Sequence, residues 1–500
     1  MRRLAKVRIT FKNFLSPVLP VYLIIFLSIA VSPLLSLQAY THTEATDKVD
    51  ALFERWDRVD SPGAALGIFQ DGRIVYARGY GAANLEYNIP IMPQTVFRVG
   101  SVSKQFTAMC IALLAEQGKL SLDDDIRQHL PEMQEYIPPV TIRHMIHHTS
   151  GIRDYLVLQA LAGRSGGYFY TSPEVIDLLA RQRGLDFKPG EKYSYSNSGY
   201  FLLAEIVKRA SGVTTREFAK RYIFDPLRMT STHFHDDINE IVKNRASGYL
   251  LIAEGGFKIH MTQLDMIGDG GIYTTVDDFF KWDQNFYTNK LGNGSKDLID
   301  LVLTTAQLND GKEIDYAFGI VVNEYRGLKS ISHAGSFVGY QAHYIQFPNQ
   351  KFSVVILSNL GSFEPDRIAM KIADVYLADQ FTEFTEKVET EEDLSPQIKP
   401  AFKALPRVAL AEFVGTYYSD ELDATAILTM KNDKLSMKLG RRESFAEAIS
   451  IDGFITTYMN DDAYSLGTRR LDFKRDEKRR VVGFMMQADE IRNLEFKKIR

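Results

Sequence analysis

Two hairpin signals at opposite ends of one long stretch constrain the fold of this chain most. Ala64–Phe69 and Arg73–Tyr80 are strand-like runs joined by Gln70-Asp71-Gly72, and Gln341–Phe347 and Phe352–Ser358 flank Pro348-Asn349-Gln350-Lys351. The region between them reads as helical. An apolar helix is expected from Ser101 to about Gln117, with Gly118 just past its end, and another over Tyr200–Ala210, followed by Ser211-Gly212. A third begins at Thr275, with Asp278 three residues on in a capping-box arrangement. Strands at both ends with helices between predict one sheet assembled from distant segments. Residues 43–381 are therefore expected to form an α+β layered domain.

The chain changes character at residues 382–410. Glu383, Glu386, Glu389, Glu391, Glu392 and Asp393 precede Pro396, Pro400 and Pro406, the composition of an exposed linker. Beyond it, residues 411–500 carry short alternating runs. Thr425–Met430 and Lys434–Leu439 flank an Asn432-Asp433 turn, and Phe454–Met459, Arg470–Lys474, Val481–Met486 and Leu494–Ile499 follow. This pattern predicts a small, separate all-β barrel or sandwich.

Arg2, Arg3, Lys6, Arg8 and Lys12 precede the first acid, Glu44, with a charge-free apolar run from Val18 to Ala39 between them. That layout over residues 1–40 predicts a secretory signal. It is either cleaved after Leu37-Gln38-Ala39 or retained as a membrane anchor, since the run is long enough to span; Pro20 and Pro33 make it a less regular helix. Cationic flanks stay cytoplasmic, so both versions place the remainder outside, in the periplasm or beyond. Lys and Arg number 59 against 63 Asp and Glu, a net charge of −4. The chain thus lacks the basic surplus that a phosphate backbone attracts, and no nucleic-acid partner is expected. Cys110 is the sole cysteine, which excludes a disulfide framework and any Cys-rich zinc or iron–sulfur site.

The chemistry centres on Phe97-Arg98-Val99-Gly100-Ser101-Val102-Ser103-Lys104, where a strand region hands over to the first apolar helix. Lys104 lies one turn after Ser101 on the same helix face. A cation at the positive end of a helix is disfavoured by the macrodipole. The helix beyond it (Phe106, Met109, Cys110, Ile111, Leu113, Leu114) is apolar all round and so expected to be buried. Burial and dipole together lower the lysine pKa, and an amine so depressed can take the proton of a neighbouring serine. The same helix end offers backbone N–H groups to an oxyanion. Serine and lysine are common residues, so this spacing alone carries little weight.

Further segments add to it. Tyr195-Ser196-Asn197 follows Phe187-Lys188-Pro189-Gly190-Glu191, and His333-Ala334-Gly335 precedes a predicted sheet strand. In order and spacing the three elements resemble those of the serine β-lactamases and penicillin-binding proteins: S-x-x-K, then [YS]-x-N, then a K-T-G-like triplet. Met145-Ile146-His147-His148-Thr149-Ser150-Gly151 is similar to that family's LLxHTSG segment, and Gly270-Gly271-Ile272-Tyr273-Thr274-Thr275 with Asp277 to its GGxxST…D helix start. The resemblance covers about residues 45–380. The tyrosine in the second triplet points to the class C branch, which holds class C β-lactamases, D-alanyl-D-alanine carboxypeptidases, D-aminopeptidases and related esterases. Residues 411–500 resemble the lipocalin-like domains appended to some members.

The resemblance implies an antiparallel sheet flanked by helices, and an exported serine hydrolase acting through an acyl-enzyme on a small amide or ester: a D-amino-acid peptide, an ester or a β-lactam. It implies no cofactor or metal, and a small molecule or peptide as the partner. Ser101 is then the nucleophile, Lys104 its proton acceptor and Tyr195 the second acid/base. Asn197 binds the substrate amide and Lys104, and the N–H groups of Ser101 and Ser336 form the oxyanion hole. His333 and Gly335 line the substrate site. His333 stands where many penicillin-recognising members have lysine; a histidine is mostly neutral at pH 7, so a substrate carboxylate is expected to be held less well. The alternative from another class is a cell-wall-peptide or penicillin-binding sensor that does not turn over, although such a binder has no need of a base beside its serine.

Two other signals have competing readings. Gly163-Arg164-Ser165-Gly166-Gly167 matches G-x-S-x-G, but the strand-before, helix-after context is missing and a loop is expected. His144, His147 and His148 lack the glutamate of an H-E-x-x-H zinc helix, Met145 and Ile146 filling the slots; this loop is expected to support the site structurally.

Overall fold

In the computed structural model the first hairpin forms on a two-residue turn. Asp71 (φ 50°) and Gly72 (φ 74°) are both left-handed, the geometry whose twist matches paired antiparallel strands. The model describes residues 44–500 apart from 137, 165–168, 254, 383–404, 441, 461–464 and 489–490. The signal expected over residues 1–40, most of the linker and the centre of the G-x-S-x-G loop lie outside the described residues. No helix among the described residues is long and apolar enough to cross a membrane.

In chain order, the elements that position the site are β1 (Ala64–Gln70), β2 (Arg73–Tyr80), β3 (Phe97–Arg98), α1 (Lys104–Glu116), α2 (Tyr155–Leu161), α3 (Ser172–Ala180), α4 (Asn197–Ser211), β4 (His233–Phe234), β5 (Ile272–Thr274), α5 (Val276–Asn285), β6 (Val321–Tyr325), β7 (Leu328–Phe337), β8 (Tyr340–Phe347), β9 (Phe352–Ser358) and α6 (Pro365–Leu377). Six strands form one antiparallel sheet in the order β6-β7-β8-β9-β1-β2. Its junction joins the two ends of the domain: β1 pairs with β9 from Ala64↔Ser358 to Gln70↔Phe352. Every residue of β9 is buried, so both faces of the sheet are covered, and the strand reads as a continuous apolar run rather than an alternating one. The fold is α+β, as expected. A second, small sheet, β3-β5-β4, carries the chain into and out of the site.

Helix starts differ from expectation where tertiary partners set them. Gly100–Ser103 is a 3₁₀ turn and the α-helix proper begins at Lys104. α4 begins at Asn197 rather than Tyr200 because its first N–H is accepted by Asp154 Oδ2, from a distant segment, at 2.5 Å. At α5, Thr275 caps the Asp278 N–H at 3.1 Å, but the Asp278 carboxylate turns away to Ser231 N and Thr232 Oγ1. Half of the expected capping box forms. The His333 triplet lies inside β7, not before a strand.

Residues 415–498 close into an eight-stranded barrel: β10 (Gly415–Ser419), β11 (Ala424–Lys431), β12 (Lys434–Leu439), β13 (Arg442–Ala448), β14 (Gly453–Asn460), β15 (Ser465–Arg475), β16 (Val481–Ala488) and β17 (Ile491–Lys498), with β10 pairing β17. Asn432 (φ 50°) and Asp433 (φ 60°) make its expected tight turn. A barrel of this size has an interior that side chains can fill. Phe413, Tyr417, Phe454, Phe473, Phe484 and Phe496 are buried together in its core. The barrel docks through a buried ion pair: Arg153 Nη1 donates to Glu421 Oε2 at 2.6 Å, both side chains at most 5% exposed.

Candidate active site

Two glycines let backbone approach backbone at the start of α1. Gly100 has φ +51°, and a Cβ there would stand 2.8 Å from Ser336 N; a Cβ on Gly335 would stand 2.0 Å from Val99 O. Only glycine fits at either position. The close approach lays β7 along Val99–Ser101 and brings the amide of Ser336 beside Ser101.

Lys104 is fully buried. Its Nζ donates to Asn197 Oδ1 at 2.9 Å and to the Asp269 carbonyl at 2.8 Å, and stands 3.2 Å from Ser101 Oγ. The first two partners are oxygens that can only accept. They take both hydrogens of a neutral amine and leave its lone pair toward Ser101. Burial lowers the lysine pKa to about 8, against the opposing pull of Asp269 and Asp154.

Tyr195 stacks its ring 4.7 Å from the lysine nitrogen. The residue is 38% exposed, yet its hydroxyl end sits in a buried setting beside Ser101. Burial pushes its pKa up, and a hydrogen bond with Ser101 draws it back. The expected histidine loop stands behind this tyrosine. His148 packs 4.3 Å from the Tyr195 ring, its Nδ1 accepts from Ser196 N at 3.1 Å and its carbonyl accepts from Ser194 N. His144 accepts from Thr141 N, and His147 Nδ1 pairs with the Tyr316 carbonyl. The three rings are engaged separately and do not converge on a metal.

His333 departs from its expected place among the substrate-binding groups. Its Nδ1 pairs with the Ala334 carbonyl, which can only accept, so the proton sits on Nδ1. Nε2 then accepts from Tyr316 Oη at 2.9 Å. Burial, reinforced by Lys104, lowers the ring pKa to about 3. The ring is neutral and neither nitrogen is left for a ligand.

Ser101, Tyr195, Asn197 and Ser336 line one cleft of about 250 Å³, together with Tyr155 and Arg98. Sequence reasoning missed several of its supports. Asp154 caps α2 through Leu156 N and Val157 N while holding Asn197 N; an aspartate just before an apolar run was the available signal. Asp269 offers its carbonyl to Lys104 and accepts from Tyr155 Oη at 2.9 Å. Arg98 is 2% exposed, and its Nε and Nη1 have no hydrogen-bond partner among the described residues. Nothing in the local sequence marks Asp269 or Tyr316.

A serine paired with a buried, pKa-depressed lysine, on an antiparallel sheet flanked by helices, defines a serine hydrolase. The chain belongs to the beta-lactamase family, whose model matches residues 49–378. It is 28% identical over 398 residues to Penicillin-binding protein 4* of Bacillus subtilis (strain 168), covering 74% of this chain and 82% of that protein. It is also 28% identical over 302 residues to the D-aminopeptidase of Gluconobacter oxydans (strain 621H), covering 60% of this chain. The match spans 56% of that enzyme's own length. Among solved structures, the octameric penicillin-binding protein homologue from Pyrococcus abyssi superposes with a TM-score of 0.59 at 25% identity, over 91% of this chain and 100% of the other.

Proposed function

We propose that this chain is an exported hydrolase that cleaves small amides or esters of D-amino acids through an acyl-enzyme on Ser101. The observation that carries the reading is the contact between Lys104 Nζ and Ser101 Oγ, with both hydrogens of the neutral amine already accepted elsewhere. Neutral Lys104 takes the Ser101 proton as Oγ attacks the substrate carbonyl. The N–H groups of Ser101 and Ser336 hold the resulting oxyanion. Tyr195, bonded to Ser101, passes a proton to the leaving amine or alcohol. It then takes one from the water that attacks the acyl-enzyme; the acid leaves, and Lys104 returns its proton to Ser101 Oγ, which restores the serine. Asn197 holds the substrate amide while fixing the lysine. His333 serves Tyr316 rather than substrate, so it offers no cation to an acidic group on the substrate.

Several relatives are D-aminopeptidases, and the absence of a free cation at His333 argues against β-lactams as the best substrates. Export rests on the cationic and apolar layout of residues 1–40. The test compares rates on D-alanine p-nitroanilide, a short-chain p-nitrophenyl ester and nitrocefin. Turnover of the first two above nitrocefin, abolished by Ser101→Ala, is expected. Nitrocefin as the fastest substrate would overturn the substrate class, and acylation without turnover on all three would favour a binding protein.

A further inference from the structure

We propose that His233, His235 and Glu240 form a binding site for one zinc-class divalent cation at the edge of the small sheet, outside the catalytic cleft. His233 and His235 are two residues apart on an extended segment, so their side chains leave the same face. His233 Nε2 lies 3.3 Å from His235 Nδ1, and His235 Nδ1 lies 3.7 Å from Glu240 Oε2. The three donor atoms all fall within 4.8 Å of one another, and no other such group of three occurs among the described residues. Bonds of 2.0–2.2 Å in a tetrahedral zinc site separate the ligand atoms by about 3.3 Å. The donors therefore already stand near the required spacing. As a direct hydrogen bond, the imidazole pair is stretched past the usual range.

The surroundings hold these donors in place. The His233 ring stacks on Tyr273 and the His235 ring meets the same tyrosine edge-on. Arg216 grips both oxygens of Glu240 at 2.7 Å and reaches Asp236 at 2.9 Å. Each carboxylate oxygen retains a second lone pair, and outer partners of this kind orient metal-bound carboxylates. The positive charge of Arg216 is met by Asp236 and Glu240; that of Arg98 and Arg245 also reaches His235. Two imidazoles and one carboxylate select zinc, cobalt, nickel or copper over calcium or magnesium. His233 and Glu240 are partly exposed, which leaves room for entry and for a water as the fourth ligand. His235 N donates to the Gly271 carbonyl at 2.8 Å, two residues from Asp269. A bound cation would thus brace the segment that holds Lys104.

The test uses the untagged full chain, treated with chelator and titrated with Co²⁺, then Zn²⁺. The expected result is one equivalent of Co²⁺ with the visible absorption of a tetrahedral site, displaced by Zn²⁺, and a thermal midpoint that rises on metal addition. His233→Ala and Glu240→Gln, both at partly exposed positions, should lose the absorption and the midpoint rise while keeping fluorophosphonate labelling at Ser101. A chain with no stoichiometric absorption and no shift would overturn the proposal, as would absorption that survives in both variants. Either failure leaves the Ser101 chemistry untouched.

Discussion

Removing the carboxylate of Glu421 tests whether the barrel is part of the working enzyme or an appendage. Glu421 Oε2 accepts from Arg153 Nη1 at 2.6 Å and from Arg183 N at 2.9 Å. In Glu421→Ala, the Arg153 guanidinium stays buried with Gln182 Oε1 at 2.9 Å, the Arg492 carbonyl at 2.7 Å and the Asp186 carboxylate 3.6 Å away. Breaking one side of a buried pair costs about 3–5 kcal/mol. The residual acid at Asp186 places this case at the lower end, about 3 kcal/mol. Replacing both partners by apolar groups, Arg153→Met with Glu421→Leu, removes the stranded charge and should cost far less. Both tryptophans, Trp56 and Trp282, lie in the hydrolase domain, so tryptophan-selective fluorescence during urea unfolding reports on that domain. The Arg153 carbonyl accepts from Ser198 Oγ at 2.7 Å and the next residue holds Asn197. A displacement of about 1 Å there should slow Ser101 acylation by up to about 10²-fold. An Glu421→Ala midpoint within about 0.5 kcal/mol of the parent, the range of inert surface changes, with unchanged acylation, would refute the reasoning.

Three more predictions concern the cleft. Lys104 must be neutral to act, and its pKa is about 8, so kcat/KM should rise about tenfold per pH unit below pH 8 and level off above it; Lys104→Arg, which cannot lose its proton, should abolish the rise. Tyr195→Phe should fold normally and lose about 10²–10⁴-fold in kcat, read from steady-state ester hydrolysis. Gly335→Ala forces a Cβ to within 2.0 Å of the Val99 carbonyl; the strand must retreat, the Ser336 donor is misplaced, and turnover should fall about 10²–10³-fold while the pH profile keeps its shape.

Local chemistry made much of this legible beforehand. The Asp71-Gly72 and Asn432-Asp433 turns carry their own left-handed residues, and Gly118 and Gly212 end helices with φ of +67° and +77°. The Ser101–Lys104 spacing needs only helical geometry to bring the two together. What stayed hidden depends on partners distant in sequence. α4 starts at Asn197 because of Asp154, and the Lys104 amine is oriented by the carbonyl of Asp269, which any residue could supply. His333 was expected at the substrate; only the fold shows that Tyr316 and Ala334 occupy both its nitrogens. Two barrel strands escaped notice: β10 is short, and β13, with Arg442, Glu443 and Glu447, lacks an apolar run.

Mass spectrometry of the intact chain after brief exposure to a fluorophosphonate, followed by peptide mapping, tests the central claim most directly. A single adduct on Ser101, formed far more slowly in Lys104→Ala and absent in Ser101→Ala, is the predicted result. An adduct on any other residue, or one that forms on Ser101 equally fast without the lysine, would contradict it.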